Sequence, residues 1–169
     1  MRVEIIEKLP EHSWVSEKIA KDKPENRALN NFFSSLSSED SRFSVEYPGS
    51  GAVHESGQAG KVYCGDFVIT FRSPEDQENT SLHFTLLEKL SELLRNAGSS
   101  ATLGVILSLL KVPAIKGRND RLALGLRLEA NGDSLEQAEL RWGLGLAHIQ
   151  QGLLFVSRWL RQRSSSRAN

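Results

Sequence analysis

The stretch RLALGLRLEA, residues 121–130, constrains the fold more than any other part of this sequence. Leucines occupy every second position, and mostly small or charged residues stand between them. This period of two places all the leucines on one face of a β-strand, whereas an α-helix would spread them around its circumference. We therefore predict a strand buried on one side, followed by a turn at Asn131 and Gly132, because both residues tolerate positive φ.

Three further segments define the fold class. KVYCGDFVITFRS (61–73) places four large side chains on one face, which predicts a second strand of an antiparallel sheet. SLHFTLLEKLSELLRNAG (81–98) has a helical period, with Ser81 or Thr80 as its N-cap. Residues 101–111 are apolar on almost every side, which predicts a central core helix. Together these segments predict an α+β domain in which an antiparallel sheet packs against two or three helices.

Residues 134–160 fit two interpretations. As two strands, the apolar residues from Leu140 to Leu146 would alternate. As one helix, Ser134 would cap the first turn together with Gln137, and seven apolar positions would form a core-facing stripe: Leu135, Trp142, Ile149 and Val156, with Leu146, Leu153 and Leu160. Three glycines each cost a helix interior about 1 kcal/mol, although they also let another part of the chain approach closely. We favour the helix, because the cap and the core positions outweigh that cost.

The first third of the chain has a different character. Short helices are predicted within 12–20 and 24–36, and a short strand within 42–47. The segments between them are rich in Ser and Gly, which bury too little surface to offset the entropy of ordering. The expected organisation is a flexible arm with short helices (1–60), a globular α+β domain (61–161) and a disordered basic tail (162–169).

The formal net charge is zero, with 21 basic and 21 acidic side chains, which argues against a wholly basic nucleic-acid coat. The two halves differ, since residues 1–80 hold 9 basic and 14 acidic side chains, whereas 81–169 hold 12 and 7. This polarity would allow the acidic half of one copy to meet the basic half of another. It is also compatible with an accident of solvated surfaces.

The single cysteine, Cys64, cannot form an internal disulfide and predicts a reducing compartment. The charged N-terminus does not resemble a signal peptide. The longest apolar stretch, 101–110, is about half of what spans a bilayer, so we expect no transmembrane helix and only peripheral membrane contact.

No catalytic constellation is visible in the sequence. The four histidines never occur at metal-ligand spacing, and His83 is expected to be a packed imidazole of the helix over 81–98. Cys64 has Asp66 nearby and no basic neighbour to activate it, so it is expected to fill a strand. We therefore predict a protein that is not an enzyme and that uses no cofactor, metal ion or small-molecule substrate.

Two groups of basic residues are candidate binding sites. The first is Lys111, Lys116, Arg118 and Arg121, together with Arg127, around the loop after residue 111, and the second is Arg158, Arg161 and Arg163 around Trp159. Arginines beside an exposed tryptophan suit lipid headgroups or the phosphates of a ribonucleoprotein. The alternative is a solvated helix end whose cations favour the negative pole of the helix dipole. The sequence leaves both interpretations open.

The ordered segments resemble, in order and local character, the core of animal rhabdovirus matrix proteins. The resemblance rests on these stretches and covers roughly residues 67–142: FVITFRS (67–73), LGVILSLL (103–110), LALGLRLE (122–129) and SLEQAELRW (134–142). It implies a non-enzymatic structural protein that self-associates by docking a flexible arm onto a neighbouring core. It also implies that the protein condenses the viral nucleocapsid and contacts the anionic inner face of the host membrane during budding, and so occurs in the virion and the host cytoplasm.

The chain also departs from that family. Such matrix proteins usually carry a lysine-rich arm and a proline-rich late-domain motif, whereas residues 1–60 are acidic and contain neither. A second hypothesis is therefore a cytosolic adaptor or a chaperone of the bacterial secretion type. It would dimerise through the apolar helix 134–160 and bind a segment of a partner protein.

Overall fold

A computed structural model describes residues 1–7, 27–36, 42–54, 61–97, 102–112 and 121–168. In chain order the elements are β1 (Arg2–Ile5), α1 (Arg27–Leu36), β2 (Phe43–His54), β3 (Lys61–Phe71), α2 (Pro74–Gln77), α3 (Thr80–Asn96), β4 (Leu103–Val112), β5 (Arg121–Gly132) and α4 (Leu135–Ala168). The predicted α+β class is confirmed.

The five strands form one sheet in the order β1-β4-β5-β3-β2. All neighbours are antiparallel except β1 and β4, which run parallel, so the sheet is mixed rather than purely antiparallel. The predicted strands over 61–73 and 121–130 lie side by side in the centre, with Phe67 opposite Leu126. Their alternating large side chains point to the same face, which is the face that the helices cover.

Helix α4 crosses this face and closes the core. Its Trp142 ring stacks on Phe67 at 6.0 Å between ring centroids, and the indole nitrogen donates a hydrogen bond to the carbonyl of Leu128 at 3.0 Å. A Cβ on Gly145 would lie 3.0 Å from a methyl group of Leu128, and one on Gly152 would lie 3.1 Å from Leu90. These two glycines therefore let the helix lie close to the sheet and to α3, as the sequence predicted.

The helix interpretation of 134–160 is confirmed. The backbone N–H of Gln137 donates to the Ser134 hydroxyl at 3.1 Å, and the Gln137 side chain accepts from the N–H of Asp133 at 2.7 Å. Six of the seven predicted core positions are buried, while Leu135 is exposed because it lies in the first turn, beyond the edge of the core. The helix continues to Ala168, so the prediction of a disordered tail from residue 162 is wrong.

The prediction of a core helix over 101–111 is wrong, because this segment forms strand β4. Its odd-numbered side chains from Leu103 to Leu107 enter the core, and on the other face Ser108 is buried as well. A strand that carries apolar side chains on both faces has no period of two, and its pattern then looks like that of a buried helix.

The end of β5 and the start of α3 also differ from the prediction. The strand β5 does not turn at Asn131 but continues through Gly132, which pairs with Lys61. The chain turns afterwards into α4, and a Cβ on Gly132 would lie 2.6 Å from the backbone nitrogen of Ala138, so this glycine admits the first turn of the helix. The N-cap of α3 is Asn79, whose side chain accepts a hydrogen bond from Leu82, rather than Ser81 or Thr80.

The prediction of an arm over residues 1–60 that stands apart from the domain is wrong for the described part of that range. The strand β1 pairs with β4, and β2 pairs with β3 along its length. In α1, which overlaps the predicted helix over 24–36, three apolar side chains are buried in the common core: Leu29, Phe32 and Leu36. The predicted helix over 12–20 lies outside the described residues.

Candidate functional site

The first predicted basic group is only partly described. Lys111 is exposed near the end of β4, and Arg121 begins β5, where it is half-buried. The register pairs Lys111 with Leu122 and Val112 with Arg121, so these two basic residues lie at the same end of the sheet. Lys116 and Arg118 lie outside the described residues.

The second predicted group lies on the last turns of α4. Arg158 and Arg161 are exposed, as expected. Trp159, however, is half-buried and packs against the core. The Lys89 ammonium lies 5.1 Å from the centre of the indole ring, and the Arg163 guanidinium lies 4.7 Å from it. The expectation of an exposed indole is therefore wrong, because α3 packs beside this part of α4.

Arg127, which the sequence placed near the first basic group, is instead buried at the centre of the sheet. It lies on the face opposite α4, directly across from Asp66. Its guanidinium donates to both carboxylate oxygens, at 2.8 and 3.2 Å. Burial alone lowers the pKa of Arg127, but the hydrogen bonds and the charge of Asp66 outweigh it and raise that pKa. This bidentate pair was not predicted.

His83 and Cys64, the two side chains considered as catalytic candidates, are both buried. His83 is fully buried, with its ring nitrogens 2.7 and 3.1 Å from the carbonyl oxygens of Asn79 and Leu122, so the predicted packed imidazole is confirmed. Cys64 is buried in β3, as predicted. Within the described residues, no three His, Cys, Asp or Glu side chains come together in a way that could hold a metal ion.

A polar cleft of about 420 Å³ opens beside the start of α3. Its lining combines two arginines with hydroxyl and amide groups: Arg42, Asp76, Asn79, Ser81, Leu82, Thr85, Leu160 and Arg163. Arg42 donates to Asp76 at 2.7 Å, so one of its two cations is already neutralised inside the cleft. This arrangement offers no pairing of a nucleophile with a base.

The outer face of α4 is the most distinctive surface. Leu140 is 69% exposed, Leu144 is 65% exposed and Phe155 is 49% exposed. At about 100° per residue, seven exposed side chains between Glu136 and Arg158 fall within an arc of roughly 100° opposite the buried face. We call them the outer stripe: Glu136, Leu140, Leu144, Ala147, Gln151, Phe155 and Arg158. Large apolar side chains gathered on one face of a surface helix are a common feature of binding surfaces.

A shallow groove borders the outer stripe on the side of α3. Its volume is about 200 Å³. It is lined by residues of both helices: Leu93 and Ala97 from the end of α3, and His148, Gln151, Gly152 and Phe155 from α4. Gly152 lies at the floor of the groove, where its missing side chain lets α4 lie close to Leu90 of α3. Above this floor the groove is open to the surface between the two helices.

The outer stripe was not predicted from the sequence, because Leu140 and Leu144 also fit the alternation of a strand. The signal was nevertheless present in the spacing. The residues from Glu136 to Arg158 follow one another at intervals of four, four, three, four, four and three, which is a helical stripe of its own. Helix α4 thus has one apolar face that packs in the core and a second face on which Leu140, Leu144 and Phe155 are exposed.

Comparisons with protein families, with curated proteins and with solved structures find no match to this chain. None of the helices in the described ranges has the length and the apolar composition that crossing a membrane requires.

Proposed function

We propose that this protein is a non-enzymatic adaptor or chaperone-type binding protein that acts as a dimer and binds a segment of a partner protein. The observation that supports it best is the outer stripe of α4, with its exposed Leu140, Leu144 and Phe155. The adaptor or chaperone is the second of the two hypotheses drawn from the sequence. In that hypothesis too, the dimer forms through the helix over 134–160, which is part of α4.

The energetics favour association through this surface. Burying a leucine or phenylalanine side chain that is otherwise exposed contributes about 1.5–3 kcal/mol, and a symmetric dimer buries each such residue twice. Leu140 and Leu144 lie one helical turn apart, so both can enter a single contact. Singly scattered surface leucines need no explanation, whereas a stripe that runs along a 34-residue helix does.

Replacing Leu140 and Leu144 together by aspartate is expected to abolish the dimer, raising its dissociation constant at least about 100-fold, because four charges would lose their hydration in the contact. Light scattering coupled to size-exclusion chromatography measures the change in mass. The matched control is Phe84→Asp on α3, since Phe84 is 56% exposed but lies outside the outer stripe. A double variant that stays dimeric contradicts the proposal.

A matrix-like role at a membrane is the second candidate, and the exposed Arg158 and Arg161 at the end of α4 support it. Under this proposal the chain binds anionic membranes and nucleocapsids. Replacing Arg158, Arg161 and Arg163 by glutamate is then expected to abolish pelleting with phosphatidylserine vesicles, because the attraction of cationic side chains to an anionic surface is lost. A wild-type chain that does not pellet with these vesicles at low salt contradicts the matrix-like role.

A further inference from the structure

We propose that the partner of the outer stripe is a second copy of this chain, with the two α4 helices packed antiparallel about a two-fold axis at Ala147. This inference rests on the proposed dimeric function and specifies its geometry. A symmetric contact must be self-complementary, so that if residue i touches residue j, then j of the first copy touches i of the second. The outer stripe meets this requirement in charge, in size and in shape.

The charge pattern is complementary when the helices are antiparallel. The outer stripe begins with the exposed Glu136 and ends with the exposed Arg158, and Ala147 lies midway between them. An antiparallel pair centred on Ala147 therefore brings each Glu136 beside the Arg158 of the other copy. A parallel pair would instead set glutamate beside glutamate and arginine beside arginine, which is repulsive at both ends.

The sizes of the side chains agree with the same centre. Ala147, where the helices cross, carries the smallest side chain of the outer stripe, and this allows an interaxial separation near the lower end of the usual range of about 8–10 Å. On either side, Leu140 faces Phe155 of the second copy and Leu144 faces its Gln151. The apolar residues are thus distributed almost symmetrically about the axis.

The groove beside the outer stripe makes the contact complementary in shape. It lies next to Gln151, on the same side of the outer stripe as Leu144 in helical projection. The two-fold axis passes between the two copies of Ala147 and is perpendicular to both helices. The groove and Leu144 therefore lie on the same side of the contact in both copies. Leu144 of each copy therefore enters the groove of the other, between Gly152 and the end of α3, and the contact forms twice.

Cysteine cross-linking tests the arrangement. Ala147→Cys is expected to form a covalent dimer under mild oxidation, because facing residues at the crossing point lie within the Cα separation of about 4.4–6.8 Å that a disulfide needs. Leu140→Cys is expected not to cross-link with itself, because the two copies of this position would be roughly 21 Å apart along the helix axis. A mixture of Leu140→Cys and Phe155→Cys is expected to give a mixed covalent dimer. The unmodified protein is the background control, since Cys64 is buried.

Charge reversal provides a second readout that needs no new cysteine. Glu136→Arg is expected to weaken the dimer about tenfold, since it replaces two attractive contacts by two repulsive ones. Adding Arg158→Glu is expected to restore the original affinity. Self-cross-linking of Leu140→Cys without that of Ala147→Cys, or a double reversal that stays weak, overturns the antiparallel arrangement while the dimer stands. A chain that is monomeric throughout overturns the proposed function itself.

Discussion

Replacing Trp142 by alanine is expected to lower the free energy of unfolding by about 3–5 kcal/mol, because the side chain fills the centre of the core and no neighbour can replace it. The indole lies 5.2 Å from the Tyr63 ring and stacks on Phe67. A Cβ on Gly65 would clash with the same ring, so the glycine at this position of β3 makes room for the indole. Truncation would leave a cavity and remove the hydrogen bond to the carbonyl of Leu128.

Urea denaturation followed by circular dichroism measures this loss. The matched control is Trp159→Ala, which removes the same side chain from a half-buried position on the same helix. Its cost is expected to be clearly smaller, because Trp159 is only half-buried and the polar ends of Lys89 and Arg163 lie against its indole. Equal losses at both positions would contradict the central place that the structure gives to Trp142.

Replacing Asp66 by alanine is expected to cost about 3–5 kcal/mol, because the buried Arg127 guanidinium loses the carboxylate that accepts two of its hydrogen bonds. The exposed fractions are 8% for Asp66 and 5% for Arg127, so water cannot take over the lost hydrogen bonds. Chemical denaturation again supplies the measurement. The control is Asp76→Ala, which breaks the ion pair with Arg42 at a more exposed site and is expected to cost at most about 1 kcal/mol.

A compensating pair of substitutions separates two explanations of that loss. If the cost comes from the unpaired charge, Asp66→Leu combined with Arg127→Met is expected to recover most of the stability, because two apolar side chains of similar length then fill the space. If the double variant is as unstable as Asp66→Ala, the loss comes from packing. The physical account of the buried pair would then be wrong.

The parts of the fold that the sequence predicted correctly are those in which large apolar side chains lie on one face and small or polar side chains on the other. In β3 and β5 the alternation of large and small or polar side chains was visible because one side packs on α4. Helix α4 was identified by the capping pattern at Ser134 and by the heptad-like spacing of apolar residues from Trp142 onwards. Each of these patterns is local, so it can be recognised in the sequence without knowledge of tertiary contacts.

The parts that were missed depend on tertiary contacts. The strand β4 carries no clear period of two because apolar side chains lie on both of its faces, and β1 is a strand of only four residues that is placed by its pairing with β4. The pair Asp66 and Arg127 is separated by 61 positions in the sequence and meets only through the register of β3 with β5. The exposure of Leu140 could be recognised only once the other face of α4 was known to be buried.

The central claim is that α4 presents a dimer surface that is apolar at its core. Sedimentation equilibrium of the unmodified chain at micromolar concentrations, in about 0.05 M and about 1 M salt, tests it most directly, because salt at these levels screens surface charges but does not weaken apolar contacts. The account predicts a single species of twice the chain mass of 18.8 kDa at both salt concentrations. A monomer at both, or polymers that dissolve as the salt is raised, would contradict it.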